Sequence, residues 1–381
     1  MRGHIQRRGE NSWRLKFDLG RDPATGRRVT RYATFRGTKR GAQTKLAELI
    51  ASVGQGNYVE PTKTTVGAFL WTRVDQWEAS GNISARTAQR YRQLIKNQIT
   101  PFLGAKVLQK LRPLDIEEWH STLRNNGRVR DKGGIAARTI GHAHRILGKG
   151  LRDAARNGLV SRNVVAEQPA PKVADSDMVI VQDVQGLVDR LLGSRLYIPA
   201  TVALFTGCRL SEVLALRWNR VDLDAKTIAV REALEQTKAC GIRFKPPKSK
   251  AGRRDIALPD ILVDILREHR KAALELRMQL GAGRLPDDAL LFADIDGKPL
   301  SPNAISAAWA DLAESIGMPQ VTFHALRHTH ASQLIDEGVD IVTISKRLGH
   351  AKPDITLRIY AHLFRKDDGK AAAAINAALN R

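Results

Sequence analysis

The last fifth of the chain holds a set of side chains that could bind and attack a phosphodiester. Within forty residues it contains His324, Arg327, His328, His350 and Tyr360. Arg209, far upstream, supplies a second guanidinium. Arginine forks bind non-bridging phosphate oxygens, histidine transfers protons near neutral pH, and tyrosine can act as a nucleophile. We therefore expect these residues to meet at one site.

The stretch from Phe323 to Leu334 is predicted to be a helix, because its alanines and leucines return at helical spacing. His324, Arg327 and His328 then share one face, since residues three and four positions apart are neighbours on a helix. We expect His328 to support the catalytic residues by contact.

The segments that follow bring in His350 and Tyr360. The motif SKRLGH predicts a helix that ends at Leu348 with Gly349 as its cap, so that His350 lies just past the cap. The motif KPDITLRIYAH begins with a proline and an acid, which is a helix start signal, and carries Tyr360 in the body of a short helix. We therefore expect the cationic side chains and the Tyr360 phenol to meet at one site.

Arg209 stands at the head of an apolar helix in the motif LFTGCRLSEVLALRW. Its planar fork suits two non-bridging phosphate oxygens, and Glu212, one turn further on, can hold the guanidinium in place. The alternative is a buried pair of these two residues that only stabilises the fold. Cys208 is interpreted as a small core residue.

The motif PPKSKAGRRDIALP is predicted to form a β-hairpin, with its turn near Ala251 and Gly252 and a returning strand through Ile256. A lysine at the tip could reach a phosphate that sits between arginines. Neighbouring cations would lower the pKa of that lysine enough to make it a proton donor. Lys248 and Lys250 compete for this role.

Tyr360 is the candidate nucleophile. A phenol with a pKa of about 10 is inert at neutral pH unless cations stabilise its anion or a base takes its proton. His324 is placed to accept or relay that proton. The charge that develops on a pentavalent phosphorus would be met by Arg209, Arg327 and His350, whose fixed donors supply electrostatic stabilisation.

The bulk composition narrows the class of protein. A chain of 381 residues suggests two or three domains, and a net charge of +23 makes an anionic polymer the leading partner. No apolar run is long enough to span a bilayer, and the start lacks the apolar segment of a secretory signal. With only Cys208 and Cys240, no disulfide framework or cysteine zinc cluster is expected. We expect a cytoplasmic protein that uses no membrane, metal or other cofactor.

The first segment, residues 1–61, is predicted to be a small basic sheet with one helix. SWRLKFDLG and RRVTRYATFRG alternate like strands, RDPATG joins them, and Thr38 opens the helix. Residues 1–45 hold thirteen lysines and arginines against three acids. Strands with outward cations could enter a DNA groove, and the candidates are Arg14, Lys16, Arg28, Arg31 and Arg36. A solvated basic face is the alternative.

The second segment, residues 63–163, shows four stretches of helical periodicity, with caps such as Ser84 and Asp115. Two of these helices carry basic residues that suit phosphate contacts: Arg86, Arg90, Lys96, Arg138, Arg145 and Lys149. Residues 164–177 are predicted to be a linker, and residues 178–381 a third domain of helices and strands. The predicted fold class is multidomain and mainly α, with small β-sheets.

The order of the motifs resembles the tyrosine recombinase family, also called the lambda-type phage integrases, over most of the chain. TGCRLSEVLALRW looks like the family's first arginine box, HALRHTHASQL like its His-x-x-Arg box, LGH like its third basic box, and the tyrosine in LRIYAH like its nucleophile. The resemblance implies catalytic roles for Arg209, His324, Arg327, His350 and Tyr360. The family's hairpin lysine is carried over onto Lys248, in PKSKAGRR, with Lys250 as the alternative.

The resemblance also implies an assignment for each segment. Residues 1–61 are similar to the arm-binding domain of the larger integrases, and residues 63–163 to the helical, SAM-like core-binding domain. Residues 178–381 are similar to the α+β catalytic domain with a C-terminal tail. That tail, DDGKAAAAINAALNR, would dock on the next protomer, or it is a frayed terminal helix.

The mechanism implied by the resemblance needs neither ATP nor a metal. Tyr360 would attack the scissile phosphate, leaving a 3′-phosphotyrosine and a free 5′-hydroxyl, with Lys248 protonating the leaving oxygen. Four protomers would bring two double-stranded DNA sites together, of core and arm type, and exchange strands through a Holliday junction. The implied function is integration or excision of a mobile element or prophage at the nucleoid of a bacterial cell, with an excisionase and a DNA-bending protein as accessory partners.

Three other functions would use parts of the same residue set. A type IB topoisomerase-like enzyme shares the chemistry but needs no separate basic N-terminal sheet. A catalytically silent DNA-binding protein has no reason to retain Tyr360 with both arginines. A metal-dependent nuclease would use His324, His328 and His330, but His330 lies off the shared face and no carboxylate cluster accompanies the histidines.

Overall fold

The computed structural model describes residues 3–129, 131, 133–174, 178–247, 249–364 and 368–379. The chain divides into two compact units, Met1–Ala174 and Asp175–Arg381. The described part is mainly helical with small antiparallel sheets, which confirms the predicted fold class. None of the helices in the described part is long and apolar enough to cross a membrane.

The first unit begins with a three-stranded antiparallel sheet and one helix packed on it. The elements are β1 Gly3–Gly9, β2 Ser12–Arg21, β3 Arg28–Arg36 and α1 Lys39–Gly54. The two predicted strands and the predicted helix are confirmed, and the Thr38 side chain caps α1 by accepting a hydrogen bond from the Gly41 amide. The sequence did not predict β1, because GHIQRRG carries a single large apolar residue and no alternation.

The register of this sheet decides which cations face outward. β2 and β3 pair Leu15 with Ala33 and Phe17 with Arg31, and directly opposed residues share a face. Leu15 and Phe17 are buried. Arg31 therefore lies on the core side, where its guanidinium pairs with Glu60 at 2.7 Å. The prediction that Arg31 faces outward was wrong, because alternate residues of one strand point to opposite faces.

The other four predicted cations do lie on the outer face: Arg14, Lys16, Arg28 and Arg36. The guanidinium carbon of Arg14 lies 3.9 Å from the ring centre of Tyr32, which is half exposed. Arg28 is paired with Asp18 at 2.7 Å. The outer face therefore combines cations with an aromatic ring.

The rest of the first unit is a helical bundle. Its helices are α2 Val66–Ala79, α3 Ala85–Leu94, α4 Thr100–Leu103, α5 Pro113–Asn126 and α6 Ala137–Arg156, with a π-helical turn at Ile95–Ile99 joining α3 to α4. The four predicted helical stretches are confirmed, and Ser84 caps α3 as predicted. Asp115 is not the cap of α5. The helix begins two residues earlier, at Pro113, and the Asp115 carboxylate accepts a hydrogen bond from the Arg112 amide.

The predicted linker begins later than the sequence suggested. Val164–Glu167 forms a 3₁₀ turn, and Val165 is buried in the core of the helical bundle. The linker prediction was wrong for these four residues, because an apolar pair that precedes a proline-rich stretch can still pack against the domain before it. The division of the whole chain into three domains at the boundaries given above stays a prediction.

The second unit contains nine helices and five short strands among its described residues. The helices are α7 Val184–Leu191, α8 Tyr197–Thr206, α9 Leu210–Val213, α10 Asp260–Gln279, α11 Pro302–Ser315, α12 Phe323–Asp336, α13 Ile341–Leu348, α14 Pro353–Tyr360 and α15 Asp368–Leu379. The strands are β4 Val221–Asp222, β5 Thr227–Val230, β6 Ala233–Thr237, β7 Gly241–Lys245 and β8 Arg254–Ala257. α8 packs against α12, and both contribute buried residues to the main core.

The three C-terminal helices that carry the motif residues lie where the sequence predicted them. α13 ends at Leu348, and its cap Gly349 has a left-handed φ of +70°, as a glycine cap requires. Tyr360 differs slightly from its prediction, because it is the last residue of α14 and does not lie in the helix body. In α15, Ile375 and Leu379 are exposed.

Among the described residues of PPKSKAGRRDIALP, which exclude Lys248, the predicted hairpin is not formed. The hairpin of this region is β6 with β7, which turns just before Gly241, and β8 pairs with β5. The strand prediction for β8 is confirmed, but its predicted partner was wrong. The physical reason is the pair Pro246 and Pro247, which has no backbone N–H to extend β7. A 3₁₀ turn at Lys250–Gly252 then leads into β8.

Candidate active site

Arg209 is held at the start of α9 by Glu212. The Arg209 amide donates to one carboxylate oxygen at 3.0 Å, and Nη1 donates to the other at 2.8 Å. The expected ion pair is therefore present. The Arg209 side chain is 38% exposed while that of Glu212 is 4% exposed, so the carboxylate fixes one edge of the guanidinium and leaves the rest of it accessible to a ligand.

Arg254 completes this network and was missed by sequence reasoning. Its Nη2 donates to Glu212 at 2.9 Å, its Nε to the Arg347 carbonyl at 2.6 Å, and its Nη1 to the Gly252 carbonyl at 3.1 Å. This one buried side chain thus joins α9, α13 and the start of β8. In the sequence, Arg254 appears only as the second arginine of GRRDIALP. That motif does not reveal its hydrogen-bond partners Glu212 and Arg347, which are 42 and 93 positions away.

Glu212 is ionised between these two arginines. Burial alone would raise the pKa of the Glu212 carboxyl, but the charge and hydrogen bond of Arg254, followed by those of Arg209, lower it below the usual range. A buried carboxylate is costly unless it is paired in this way. The group therefore gives Arg209 a fixed negative partner at neutral pH.

Arg327 is buried, with 2% of its surface exposed. Its Nη1 donates to the Gly207 carbonyl at 2.6 Å, and its Nη2 donates to the Leu348 carbonyl at 2.7 Å and lies 2.9 Å from Nε2 of His350. Burial, followed by the charge of Arg209, lowers the pKa of Arg327 to about 10, so it remains a cation at neutral pH.

His350 is oriented from both sides. A guanidinium can only donate, so Nε2 accepts from Arg327, and the proton of the neutral imidazole lies on Nδ1. Nδ1 is 2.7 Å from the hydroxyl of Thr356, which is a further supporting residue that the sequence did not indicate. Burial, followed by the charges of Arg327 and Arg209, lowers the pKa of His350 to about 4.

Tyr360 points its hydroxyl at α12. The residue is 1% exposed, and its Oη lies 2.8 Å from Nδ1 of His328. Burial raises the pKa of Tyr360 to about 12, against the lowering effect of Arg327 and Arg209. The cations of the site therefore do not by themselves ionise the phenol.

His324 is the neighbour of His328 on α12. The two rings meet edge to face, with centroids 4.8 Å apart and planes at 88°. Burial, followed by the charges of His328, Arg327 and Arg209, lowers the pKa of His324 to about 4. The structure thus brings together five of the six predicted catalytic residues, with Glu212 and His328 in supporting contact.

Of the two lysines considered as the general acid, the structure describes Lys250 but not Lys248. Lys248 lies outside the described residues. Lys250 begins the 3₁₀ turn that precedes β8, and it is exposed.

The basic residues predicted for the helical bundle are mostly on its surface: Arg86, Arg90, Lys96, Arg138 and Arg145 are exposed. Lys149 is half-buried, with its ammonium 4.0 Å from the centre of the Trp77 ring. Burial lowers the pKa of Lys149, against the effect of Asp153. In the part of the chain that the structure describes, no three histidine, cysteine, aspartate or glutamate side chains are grouped to hold a metal.

Residues 181–367, which include the whole constellation, match the phage integrase family, and residues 72–124 match the N-terminal SAM-like domain of phage integrases. The chain belongs to the phage integrase family. It is a tyrosine recombinase, an enzyme class that cleaves and rejoins DNA, as the resemblance of its motifs implied.

Two relatives of this tyrosine recombinase match it over nearly its full length, and a third matches less than half of it. A tyrosine recombinase XerC-like protein of Caldanaerobacter subterraneus is 24% identical, covering 97% of this chain and 96% of the relative. The ICEBs1 integrase of Bacillus subtilis is 23% identical, and the match covers 94% of this chain and 95% of the relative. The integrase of Staphylococcus phage L54a is 33% identical over 171 residues, which are 44% of this chain and 48% of the relative.

Solved structures share the fold of this recombinase. The Tn1549 transposon integrase in complex with a circular intermediate DNA superposes with a TM-score of 0.68 at 19% identity, covering 83% of this chain and 99% of that one. A lambda integrase tetramer bound to a Holliday junction superposes with a TM-score of 0.52 at 19% identity, covering 92% and 96%. The fold is therefore that of a multidomain tyrosine recombinase with a SAM-like and a catalytic domain.

Proposed function

We propose that this recombinase cleaves DNA by attack of Tyr360 on a scissile phosphate held by Arg209 and Arg327, leaving a 3′-phosphotyrosine and a free 5′-hydroxyl. The observation that carries the proposal is the convergence of these groups. The phenol lies against a histidine of α12, the helix that also carries Arg327, and Nη2 of that arginine contacts His350. One compact site thus combines a nucleophile, a proton acceptor and fixed cations.

Each residue has a defined task in the cleavage step. As the bond from the tyrosine oxygen to phosphorus forms, negative charge grows on the non-bridging oxygens, where the guanidinium groups of Arg209 and Arg327 stabilise it. His350 orients Arg327 by accepting a hydrogen bond from it at Nε2. The phenolic proton passes to a histidine of α12, which carries both His324 and His328. The bond to the 5′ oxygen breaks, and we assign Lys248 to protonate that oxygen, with Lys250 as the alternative.

The buried setting explains how the phenol stays unreactive until DNA is bound. Without DNA, burial keeps the pKa of Tyr360 near 12, so the hydroxyl is protonated. Cleavage therefore needs a base for the proton, together with a phosphate that Arg209 and Arg327 hold in line with the oxygen. A histidine of α12 already contacts the phenol, but the phosphate is in place only in the complex, which protects other phosphodiesters from accidental attack.

The remaining segments would place that phosphate. Residues 1–61 are assigned to arm-type DNA sites through the outer face of β1 to β3, and residues 63–163 to the core site through the exposed cations of the bundle. By analogy with the lambda integrase tetramer on a Holliday junction, four copies would synapse two attachment sites. The biological role would be integration or excision of a prophage or other mobile element inside a bacterial cell, aided by an excisionase and a DNA-bending protein.

A covalent trapping experiment tests the cleavage assignment. The protein is incubated with duplex DNA carrying its own gene's flanking sequence, nicked next to each candidate crossover position so that the short 5′-hydroxyl strand diffuses away. Denaturing electrophoresis should reveal a protein and DNA adduct with the wild type. Tyr360→Phe should form no adduct while binding the same DNA with nearly unchanged affinity, because only the nucleophilic oxygen is lost. An adduct with Tyr360→Phe would refute the assignment.

A further inference from the structure

We propose that His328, and not His324, takes the proton from Tyr360 as its oxygen attacks DNA. The inference rests on the proposed function and assigns the general base of the same site. The motif spacing placed both histidines on one helical face and made His324 the acceptor, with His328 in a supporting role.

The contacts of the phenol distinguish the two histidines. Nδ1 of His328 lies 2.8 Å from the tyrosine oxygen, and it is the hydrogen-bond partner of that oxygen among the described residues. His324 contacts the ring of His328 edge to face, 4.8 Å between centroids. A general base must be within hydrogen-bond reach of the proton that it removes. His328 already meets this condition in the structure.

The hydrogen bond also defines the tautomer that the proposal requires. The Tyr360 hydroxyl is protonated, so it can donate to Nδ1 when the His328 proton is on Nε2. Burial, followed by the charge of Arg327, lowers the pKa of His328, so the ring is neutral and has a free lone pair. A protonated His328 could not accept from the phenol.

The charged groups around this pair favour proton transfer only when DNA is present. Arg327 and His324 lie beside His328 on α12, Arg209 faces the pair from the start of α9, and His350 follows α13. The guanidinium of Arg327 opposes a positive charge on His328. A phosphodiester bound to that guanidinium brings a negative charge, which offsets the opposition and allows the imidazolium to form.

The proton and the bonds balance in both directions. In cleavage, the proton of Tyr360 goes to Nδ1 of His328 and the bond from the tyrosine oxygen to phosphorus forms. The bond from phosphorus to the 5′ oxygen breaks, and that oxygen takes a proton from the lysine assigned as general acid. In rejoining, the 5′ hydroxyl returns its proton to that lysine and attacks the phosphotyrosine, while the imidazolium of His328 returns its proton to the leaving phenolate. One residue therefore acts as base and then as acid.

The direct test compares His328→Asn with His324→Asn in single-turnover cleavage of the nicked duplex. An asparagine oxygen can occupy the position of Nδ1 and hold the phenol, but it cannot take a proton. We expect His328→Asn to slow cleavage by about 100-fold or more, the usual contribution of a general base. Each variant is then combined with 3,5-difluorotyrosine at position 360, whose phenol is more acidic than that of tyrosine and therefore depends less on a base.

The two models give opposite results with the fluorinated nucleophile. If His328 is the base, most of the loss in His328→Asn disappears, because the more acidic phenol gives up its proton with less help, while the loss in His324→Asn is unchanged. An equal loss for His328→Asn with both nucleophiles, or cleavage by His328→Asn within about 3-fold of wild type, would overturn the proposal.

A second measurement separates this proposal from the proposed function. Nitrogen NMR of the full-length, DNA-free protein, with His328 assigned by comparison with His328→Asn, should show the proton of the neutral ring on Nε2. A proton on Nδ1 would mean that the histidine donates to the phenol, and His328 could not be the base. A wild-type protein that forms no adduct on bound DNA would contradict the proposed function, and the NMR result would still decide the direction of the hydrogen bond.

Discussion

Replacing Glu212 with glutamine should destabilise the second unit far more than removing an ordinary surface charge. The Glu212 side chain is 4% exposed and pairs with Arg209 and with Arg254, whose side chain is 6% exposed. Glutamine keeps the shape and one acceptor oxygen but leaves the buried cation of Arg254 without a negative partner. Breaking a buried pair on one side costs about 3 to 5 kcal/mol, and we expect about 3 kcal/mol because one hydrogen bond survives.

Urea unfolding, followed by tryptophan fluorescence, measures this loss. With a slope of about 2 kcal/mol per M, a loss of about 3 kcal/mol lowers the unfolding midpoint by about 1.5 M. Glu232→Gln is the matched control, because Glu232 also pairs with an arginine, Arg217, but its side chain is 39% exposed. That control should lose about 0 to 1 kcal/mol. Equal losses for the two variants would refute the reasoning that burial makes the Glu212 network strong.

The same carboxylate predicts a pH dependence. Because the folded state lowers the pKa of Glu212 below its ordinary value of 4.5, its contribution to stability is complete above that pH and is lost as the pH falls through the lower folded value. The stability difference between wild type and Glu212→Gln should therefore shrink in acid. A difference that stays constant down to the acid transition would contradict the assignment of an ionised Glu212.

Three further predictions concern other parts of the chain. Lys248→Ala should slow cleavage at least about 100-fold, and Lys250→Ala should have little effect. A 5′-phosphorothiolate substrate should restore cleavage by Lys248→Ala, because its thiolate leaves without a proton. The reverse result for the two variants would assign the general acid to Lys250. Deleting residues 1–61 should spare binding to the crossover site but abolish binding to arm-type sites and integration in a recombination assay, and normal integration would refute the arm-binding assignment. Gly207→Ala should lower the free energy of unfolding more than Gly193→Ala does, by at least about 1 kcal/mol. Both glycines have a positive φ, but only at position 207 would the new Cβ lie within 3 Å of buried side chains. Equal losses for the two variants in urea unfolding would contradict this prediction.

The helices and the motif residues on them could be predicted from the sequence because they depend on local spacing. The common face of His324, Arg327 and His328 follows from positions three and four apart, and the glycine cap before His350 follows from the left-handed conformation that glycine adopts freely. These rules need no knowledge of the rest of the chain. The predicted elements from α12 to α14 are accordingly present in the structure.

The features that the sequence did not reveal depend on distant parts of the chain. Arg254 gains its role from Glu212 and from the end of α13, and neither contact leaves a local pattern. The contact between His328 and Tyr360 joins residues 32 positions apart, so spacing could place both near the site but could not decide which histidine touches the phenol. The strand pairing of β8 failed as a prediction for the same reason, because β5 precedes it by a whole hairpin.

The central claim is that Tyr360 becomes covalently joined to a 3′ phosphate of DNA. The most direct measurement is mass spectrometry of the trapped adduct after digestion with nuclease and protease. We predict one modified peptide, containing Tyr360, with the phenolic oxygen carrying a nucleotide through its 3′ phosphate. A nucleotide attached through its 5′ phosphate, or attached to a different residue while Tyr360 is unmodified, would contradict the account.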